Sequence, residues 1–267
     1  PDALSYLRDG DVLRVIPSTG EVSVLYRRSS PHNSVFVTNR CNSRCIMCSQ
    51  PPTLEDDTFL LDVWRQAIVL MDKETKELGF SGGEPTLLKR DFLSLLELCR
   101  DALPMTGVHV LSNGRLFTYL RFAKALGDLQ HPDLMVGIPL YSDISSVHDF
   151  VVQAEGAYDQ TLRGIMNLKR CGVRVELRIV LHSATVARLP SLARFIARNL
   201  PNVNHVALMG YEQTGFGKLH RDSLWVDPID YQESLSSAVG ELRAAGLVVS
   251  LYNHQLCTLK EDLWPYA

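Results

Sequence analysis

Apolar and polar positions follow two different periods along the chain. From residue 34 onward, short apolar runs predict strands, and segments with apolar residues three or four positions apart predict helices. The predicted strands cover residues 34–39, 77–82, 107–112, 134–141, 174–182 and 203–209. The predicted helices cover residues 58–73, 91–102, 117–127, 157–171, 190–199 and 229–245. Strands and helices in regular alternation predict a parallel sheet with right-handed crossovers.

Six strand–helix units are too few for a closed eight-stranded barrel, so the pattern predicts a partial barrel or a doubly wound sheet. A further strand-like run over residues 247–252 follows the sixth helix. Before the first unit, residues 11–27 alternate around the turn Pro17-Ser-Thr-Gly20, which predicts a β-hairpin. We therefore expect an N-terminal hairpin extension over residues 1–30 and one α/β core domain over residues 31–267.

The strand predicted over residues 174–182 has the clearest alternation. Its odd-numbered positions from 175 to 181 are all apolar, whereas the opposite face carries Glu176 and Arg178. In a barrel wrapped by helices, the apolar face packs outward and the charged face points inside. Because an unpaired buried charge is costly, Glu176 and Arg178 are expected to pair with neighbouring groups or to hold a ligand. An edge strand with one solvated face is the alternative.

Composition and charge limit the class of protein. The chain has 267 residues, of which 46% are hydrophobic and 21% charged, a usual composition for a globular protein. The net charge of −3 gives no reason to expect a nucleic-acid partner. No apolar run reaches the ~20 residues of a membrane helix, and no secretory signal is visible. With six cysteines that are typical of thiols and metal ligands, we expect a cytoplasmic protein without a membrane partner.

Three closely spaced cysteines, Cys41, Cys45 and Cys48, directly follow the first strand of the core. Three thiolates from one loop form a soft metal site with one ligand fewer than the four that usually hold a [4Fe–4S] cluster. An open coordination position is typical of a catalytic metal site. Structural zinc is the alternative, but a closed zinc site needs four ligands, and no further cysteine or histidine lies in this loop.

The C-x3-C-x2-C motif is followed, after the second strand, by Ser81-Gly-Gly-Glu-Pro85. Together the two motifs resemble the radical S-adenosylmethionine (SAM) superfamily, over about residues 34–254. The resemblance implies an open (β/α)6 barrel, a [4Fe–4S] cluster, SAM and an external electron donor. In that family, the amino and carboxylate groups of SAM bind the fourth iron. One electron from the cluster then cleaves the sulfonium and yields a 5′-deoxyadenosyl radical.

The resemblance also implies which residues bind the cofactors. The cluster ligands, expected to be essential for catalysis, are Cys41, Cys45 and Cys48. The motif that grips the methionine amino group is matched by Gly82, Gly83 and Glu84, where glycines let the backbone approach and a carboxylate complements an ammonium. Met47 stands where the family usually has an aromatic residue against the adenine. Asn113 follows the third strand at the catalytic end of the barrel, so it is expected in the pocket.

The later strands supply the remaining candidates. In the fourth strand, the position of the family's ribose-binding serine falls on Pro139, so Tyr141 or Ser142 is expected to contact the ribose instead. Arg178 on the fifth strand is the candidate for the methionine carboxylate or the substrate, because Arg–carboxylate pairing is strong when it is bidentate. The segment that ends the sixth strand resembles the one that lines the adenine, with Met209 and Gly210.

A closer resemblance is to the His-Xaa-Ser system radical SAM maturases, on the stretches 137–143, 156–164, 205–210 and 252–257. It implies a small partner peptide with His-Xaa-Ser repeats and a reaction that begins with hydrogen abstraction from that peptide. Cys257 is either the first ligand of an auxiliary cluster in a longer chain or a buried thiol. The alternatives are a radical SAM enzyme acting on a small molecule or an RNA, and an iron–sulfur electron-transfer module without turnover.

Overall fold

Seven parallel strands form one open sheet at the centre of the chain. The computed structural model describes residues 4–267, so the first three residues of the predicted hairpin extension lie outside the described residues. Within residues 4–267 the strands are β1 (Val12–Ile16), β2 (Glu21–Tyr26), β3 (His32–Phe36), β4 (Glu77–Ser81), β5 (Gly107–Leu111), β6 (Leu134–Pro139), β7 (Arg174–Val180), β8 (His205–Met209) and β9 (Val249–Tyr252). Strands β3 to β9 lie side by side in chain order, all parallel.

Helices connect successive strands and cover the outer face of the sheet. They are α1 (Phe59–Ile68), α2 (Arg90–Ala102), α3 (Leu120–Asp128), α4 (Ser145–Val152), α5 (Ala157–Arg170), α6 (Ser183–Val186), α7 (Leu189–Asn199), α8 (Gly215–Leu219), α9 (Arg221–Leu224) and α10 (Gln232–Ala244). Because β3 and β9 each pair on one side only within this sheet, the barrel is partial and open. The predicted α/β partial barrel is therefore confirmed, with the run at 247–252 forming its seventh strand.

The main core lies between the sheet and the helices. Val175, Leu177 and Ile179 of β7 are almost completely buried there, together with Leu192 and Ile196 of α7. Burial of such side chains stabilises the fold by about 1.5–3 kcal/mol each. The charged face of β7 points to the inside of the barrel, as its alternation predicts.

The antiparallel hairpin β1–β2 is also present, and it packs beside the start of the barrel. The side chain of Tyr26 is buried, and its hydroxyl hydrogen-bonds Thr75 Oγ1 at 2.9 Å. The hairpin is thus joined to the core through the segment before β4. The division into a hairpin extension and a core domain stays a prediction.

Some boundaries differ from those predicted. The first core strand ends at Phe36 and not at residue 39, because the next residues turn into the cysteine loop. Helix α1 ends at Ile68, five residues early. The short helices α4, α6, α8 and α9 were not predicted, since each has eight residues or fewer and shows little periodicity. Among the described residues, no helix has both the length and the apolar composition needed to cross a membrane.

Two helical glycines give a matched test of the packing. A Cβ at Gly164 of α5 would overlap the carbonyl oxygen of Gly114, whereas a Cβ at Gly240 of α10 would meet no atom within 4 Å. We expect Gly164→Ala to destabilise the fold by about 1–3 kcal/mol through overpacking. Gly240→Ala should stabilise it by up to about 1 kcal/mol through helix propensity. Urea unfolding of both variants checks this, and equal effects would contradict the packing described.

Candidate active site

The loop that carries the three cysteines is fixed at its start by a buried aspartate. The Asp57 carboxylate accepts hydrogen bonds from Thr38 Oγ1, at 2.9 Å, and from the backbone N–H of Asn39. Its other oxygen lies 3.3 Å from Arg40 Nε. Asp57 is 3% exposed, and its Oδ2 is satisfied by the two donors, whereas its Oδ1 is compensated by the charge of Arg40 and has no hydrogen bond. The chain is thereby turned out of β3 and into the loop.

Gly82 and Gly83, after β4, pack backbone to backbone against the same turn. Gly82 has φ +152°, which favours glycine, and a Cβ there would lie 2.5 Å from the Thr38 carbonyl oxygen. A Cβ at Gly83 would overlap the Arg40 carbonyl. Gly83 N–H donates to Thr38 O at 2.7 Å, and Glu84 N–H donates to Arg40 O at 2.8 Å. The glycines thus allow the two loops to touch.

The side chain of Glu84 is completely buried and joins the ends of β4 and β5. Its Oε1 accepts from Thr86 N–H, Thr86 Oγ1 and Ser112 Oγ, and its Oε2 accepts from Asn113 N–H at 2.6 Å. Burial raises the pKa of this carboxyl, and the four hydrogen bonds oppose that rise. The carboxylate is therefore already bonded within the protein, and its expected contact with a methionine ammonium stays a prediction.

Asn113 lies next to the cysteine loop, and its expected place in the SAM pocket stays a prediction. Its Nδ2 donates to Asn42 Oδ1 at 2.6 Å and lies 4.0 Å from Cys41 Sγ. Arg115 supports the same loop, since its guanidinium bonds the Asn42 carbonyl and, at 3.0 Å, Ser43 Oγ. Sequence reasoning missed both Asp57 and Arg115. For Arg115, the position directly after Ser112-Asn-Gly could have indicated a place near the site, whereas the sequence around Asp57 carried no such signal.

Helices α4 and α8 hold the outer side of the loop. The N–H groups of Arg44 and Ile46 donate to the carbonyls of Val152 and Val151, each at 3.0 Å. Phe216 N–H of α8 donates to Cys48 O at 2.8 Å. The loop is thus bonded on several sides before any ligand binds, which is the preorganisation that a metal site requires.

The three thiols are free and partly buried. Burial raises the pKa of Cys41 to about 11 and that of Cys45 to about 12, and it also raises the pKa of Cys48. Metal binding must therefore displace protons from these sulfurs. Among residues 4–267, no group of three or more His, Cys, Asp or Glu side chains is placed to hold a single metal ion.

This donor set fits a [4Fe–4S] cluster. The thiolates of such a cluster bind different irons, so they do not converge on one ion as zinc ligands do. Three sulfurs from one loop would bind three irons and leave the fourth to another ligand. The zinc alternative lacks its fourth ligand within the part of the chain that the structure describes.

Met47 and Tyr141 lie together in a small apolar cluster beside the cysteines, and each is 7% exposed. The backbone N–H of Tyr141 donates to Nδ1 of the buried His148, at 3.2 Å, and the two rings stack. Ser142 is buried, and its hydroxyl accepts from Ile144 N–H at the turn before α4. The structure therefore brings Met47 and Tyr141 together, whereas the Ser142 hydroxyl bonds within its own turn.

The inside of the barrel carries a buried charge network. Arg178 Nη1 donates to Glu176 Oε1 at 2.6 Å, and His205 Nδ1 lies 2.6 Å from Glu176 Oε2. Burial alone would raise the pKa of Glu176, but the His205 hydrogen bond and the Arg178 charge outweigh it and lower the pKa. Burial also lowers the pKa of His109, whose Nε2 is 3.4 Å from Glu176. The structure thus pairs Glu176 with Arg178 and His205 inside the barrel, while a ligand contact of Arg178 stays a prediction.

An open cavity of about 900 Å³ lies between the edge strands β3 and β9. It extends from Ser49, beside the last cysteine, to Tyr252 of β9 and includes Arg178 and Met209. Gly210, next to Met209, packs against β9 by donating its N–H to Tyr252 O at 2.8 Å. Two of the predicted site residues thus line one cavity that begins at the cysteine loop.

The sequence profile of the Radical SAM superfamily matches residues 35–196. The chain therefore belongs to the radical SAM superfamily, whose enzymes use a [4Fe–4S] cluster and SAM. Fe-coproporphyrin III synthase of Methanosarcina barkeri is 30% identical over 72% of this chain and 46% of that protein. PqqA peptide cyclase of Gluconobacter oxydans is 26% identical over 80% of this chain and 58% of that protein. The chain spans about half the length of these relatives.

Solved structures agree with the fold. SuiB of Streptococcus suis bound to SAM matches with a TM-score of 0.70 and 15% identity, over 88% of this chain and 53% of that chain. SuiB bound to its precursor peptide SuiA matches with a TM-score of 0.63 and 13% identity, over 87% and 50% of the two chains. At this identity the likeness supports the radical SAM fold.

Two buried histidines at this end of the barrel make stability depend on pH. Burial lowers the pKa of His148 and of His182 from 6.5 to about 4. Between these values the unfolded chain binds protons that the folded chain does not, so stability falls as the pH falls. We expect the loss between pH 7.5 and 5 to be roughly 2 kcal/mol smaller in His148→Gln. Urea unfolding at both pH values measures it, and an unchanged loss would contradict the assignment.

Proposed function

We propose that this chain is the catalytic core of a radical SAM enzyme that modifies a small partner peptide. The observation that carries the proposal is the cavity between β3 and β9. It begins at the cysteine loop, and it opens along two strands whose outer edges are unpaired within the described sheet. An extended peptide can pair with such an edge and place alternate side chains in the cavity.

The proposal assigns a role to each group of site residues. Cys41, Cys45 and Cys48 would hold the cluster, and the methionine part of SAM would bind beside the backbone of Gly82–Glu84 and near Asn113. When bound, the cluster and SAM together supply a radical that removes a hydrogen atom from the substrate. Glu84 acts as a positioning residue, because its carboxylate holds the loop after β5.

Arg178 is the proposed partner of the methionine carboxylate. Its guanidinium lines the cavity, and the buried Glu176 fixes one of its nitrogens. The adenine and ribose would meet Met47, Tyr141, Ser142, Met209 and Gly210. Ser142 contributes through its backbone in this proposal, since its hydroxyl is bonded to Ile144.

Two similarities support a peptide as the substrate. The relative PqqA peptide cyclase and the fold neighbour SuiB with its precursor peptide are both named for peptides. The sequence stretches described above resemble the maturases of His-Xaa-Ser peptides. Relatives named for GTP and for Fe-coproporphyrin III make a small molecule the second candidate, and the cavity size alone would admit one.

The test is anaerobic SAM cleavage by the reconstituted, dithionite-reduced protein. We expect 5′-deoxyadenosine from the wild type and none from the Cys41→Ala/Cys45→Ala/Cys48→Ala variant, because the cluster needs all three ligands. Cys171→Ala, a cysteine outside the site, is the matched control and should keep the activity. Synthetic peptides with His-Xaa-Ser repeats should bind, increase the rate and change in mass.

Two outcomes would contradict the proposal at different levels. Absence of 5′-deoxyadenosine from a protein with an intact, reducible cluster would exclude radical SAM chemistry and favour an electron-transfer module. SAM cleavage with peptides that neither bind nor change in mass, while GTP or a porphyrin is converted, would exclude the peptide substrate only.

A further inference from the structure

A second cavity lies on the outer side of the cysteine loop. It measures about 680 Å³, and its lining comes from that loop and from α4, α6, α8 and α9. No residue lines both this cavity and the interior one. We call it the outer patch, and its apolar lining residues are Ile46, Phe150, Ala184, Phe216, Leu219 and Leu224.

The outer patch exposes large apolar side chains to solvent. Phe150 is 59% exposed and Leu219 is 72% exposed, although both line the same depression. The guanidinium of Arg44 lies 5.7 Å from the centre of the Phe216 ring. Contiguous exposed apolar groups with a polar rim mark surfaces that bind other proteins, and aromatic and arginine side chains dominate the affinity of such surfaces.

The floor of the outer patch is the cysteine loop itself. Arg44 and Ile46 are the residues on either side of Cys45. His220 Nδ1 lies 2.7 Å from the Ile46 carbonyl oxygen, and Phe216 N–H bonds the Cys48 carbonyl. A molecule bound in the outer patch would therefore touch the two neighbours of Cys45 in the chain. It would also touch Phe216, whose backbone is hydrogen-bonded to that of Cys48.

The charge of this region is opposite to that of the whole chain. Arg44 lines the outer patch, and Lys218 and Arg221 lie beside it on α8 and α9. All three are exposed and have no ion-pair partner among residues 4–267, and Asp222 is the one carboxylate in α8 and α9. Asp149 of α4 accepts from the N–H groups at the start of α5 and keeps its negative charge, so the three basic side chains outnumber two carboxylates. The chain as a whole has a net charge of −3. A basic region on an acidic protein favours an acidic partner.

Resting on the proposed function, we propose that the outer patch is the docking surface for an acidic, ferredoxin-type electron carrier protein. The carrier is oxidised by one electron and the cluster is reduced by one electron, with no bond or proton transferred. Because the substrate fills the interior cavity, the electron donor needs another face, and the outer patch is in contact with the loop from outside. Electron-transfer encounters are small, typically below about 1,200 Å² of buried surface, so an extensive interface is not required.

The test compares two reductants and measures binding directly. The full chain, with its cluster reconstituted, is titrated with a purified acidic ferredoxin, and SAM cleavage is driven either by that reduced ferredoxin or by dithionite. Leu219→Asp should weaken ferredoxin affinity about tenfold or more, because it puts a charge at the apolar centre of the interface. Ferredoxin-driven cleavage should fall with it, while dithionite-driven cleavage stays unchanged. The matched control is Met166→Asp, at an apolar residue of α5 that is 60% exposed and lies outside the outer patch.

Lys218→Glu is a second variant that removes no packing, since the side chain is exposed. It should slow ferredoxin association, and added salt should reduce the difference from the wild type. The inference is overturned if ferredoxin does not bind the wild type, if neither variant weakens it, or if a bound substrate peptide displaces it. Loss of dithionite-driven cleavage in the wild type would instead contradict the proposed function, and the binding measurement would still decide the docking surface.

Discussion

The fully buried carboxylate of Glu84 is the interaction on which the candidate site depends. It joins the loop after β4 to the loop after β5 by accepting bonds from Ser112 and Asn113. The side chain of Asn113 in turn donates a hydrogen bond to Asn42 in the cysteine loop. A buried carboxylate with four donors is expensive to disturb, because any lost donor leaves charge unsatisfied in a low dielectric. The loops after three strands are therefore fixed relative to one another.

Backbone contact makes this arrangement possible. The backbone of Gly82 and Gly83 lies so close to the turn after β3 that a Cβ atom at either position would overlap a carbonyl oxygen of that turn. Asp57 bonds the same turn from the other side. The cysteine loop is consequently held by hydrogen bonds to its neighbours, while its three sulfurs remain free of protein bonds to one another. The fold thus presents the thiols at the carboxyl end of the sheet, where parallel α/β proteins place their functional groups.

Strand and helix periodicity predicted the parallel sheet and motif spacing predicted the cysteine loop, because both are local signals. The pattern alone left a partial barrel and a doubly wound sheet open, and the resemblance to the radical SAM superfamily implied the open barrel. The sequence also predicted the inward face of β7, where Glu176 and Arg178 pair. It did not predict Asp57 or Arg115, because both are distant from the loop residues that they bond. Asp57 lies 19 residues from Thr38, and Arg115 lies 72 residues from Ser43. The short helix α8 was missed for the same reason, because its position is set by bonds to Cys48 and not by its own pattern. The individual roles of the predicted SAM-binding residues stay predictions.

The central claim is that Cys41, Cys45 and Cys48 hold a [4Fe–4S] cluster with one iron open to SAM. The most direct measurement is electron paramagnetic resonance of the reconstituted, reduced protein before and after SAM is added, together with iron, sulfide and zinc analysis. We expect about four irons and four sulfides per chain. We also expect a cluster spectrum that changes when SAM binds the open iron. Bound zinc, or a cluster spectrum that SAM leaves unchanged, would contradict the central claim.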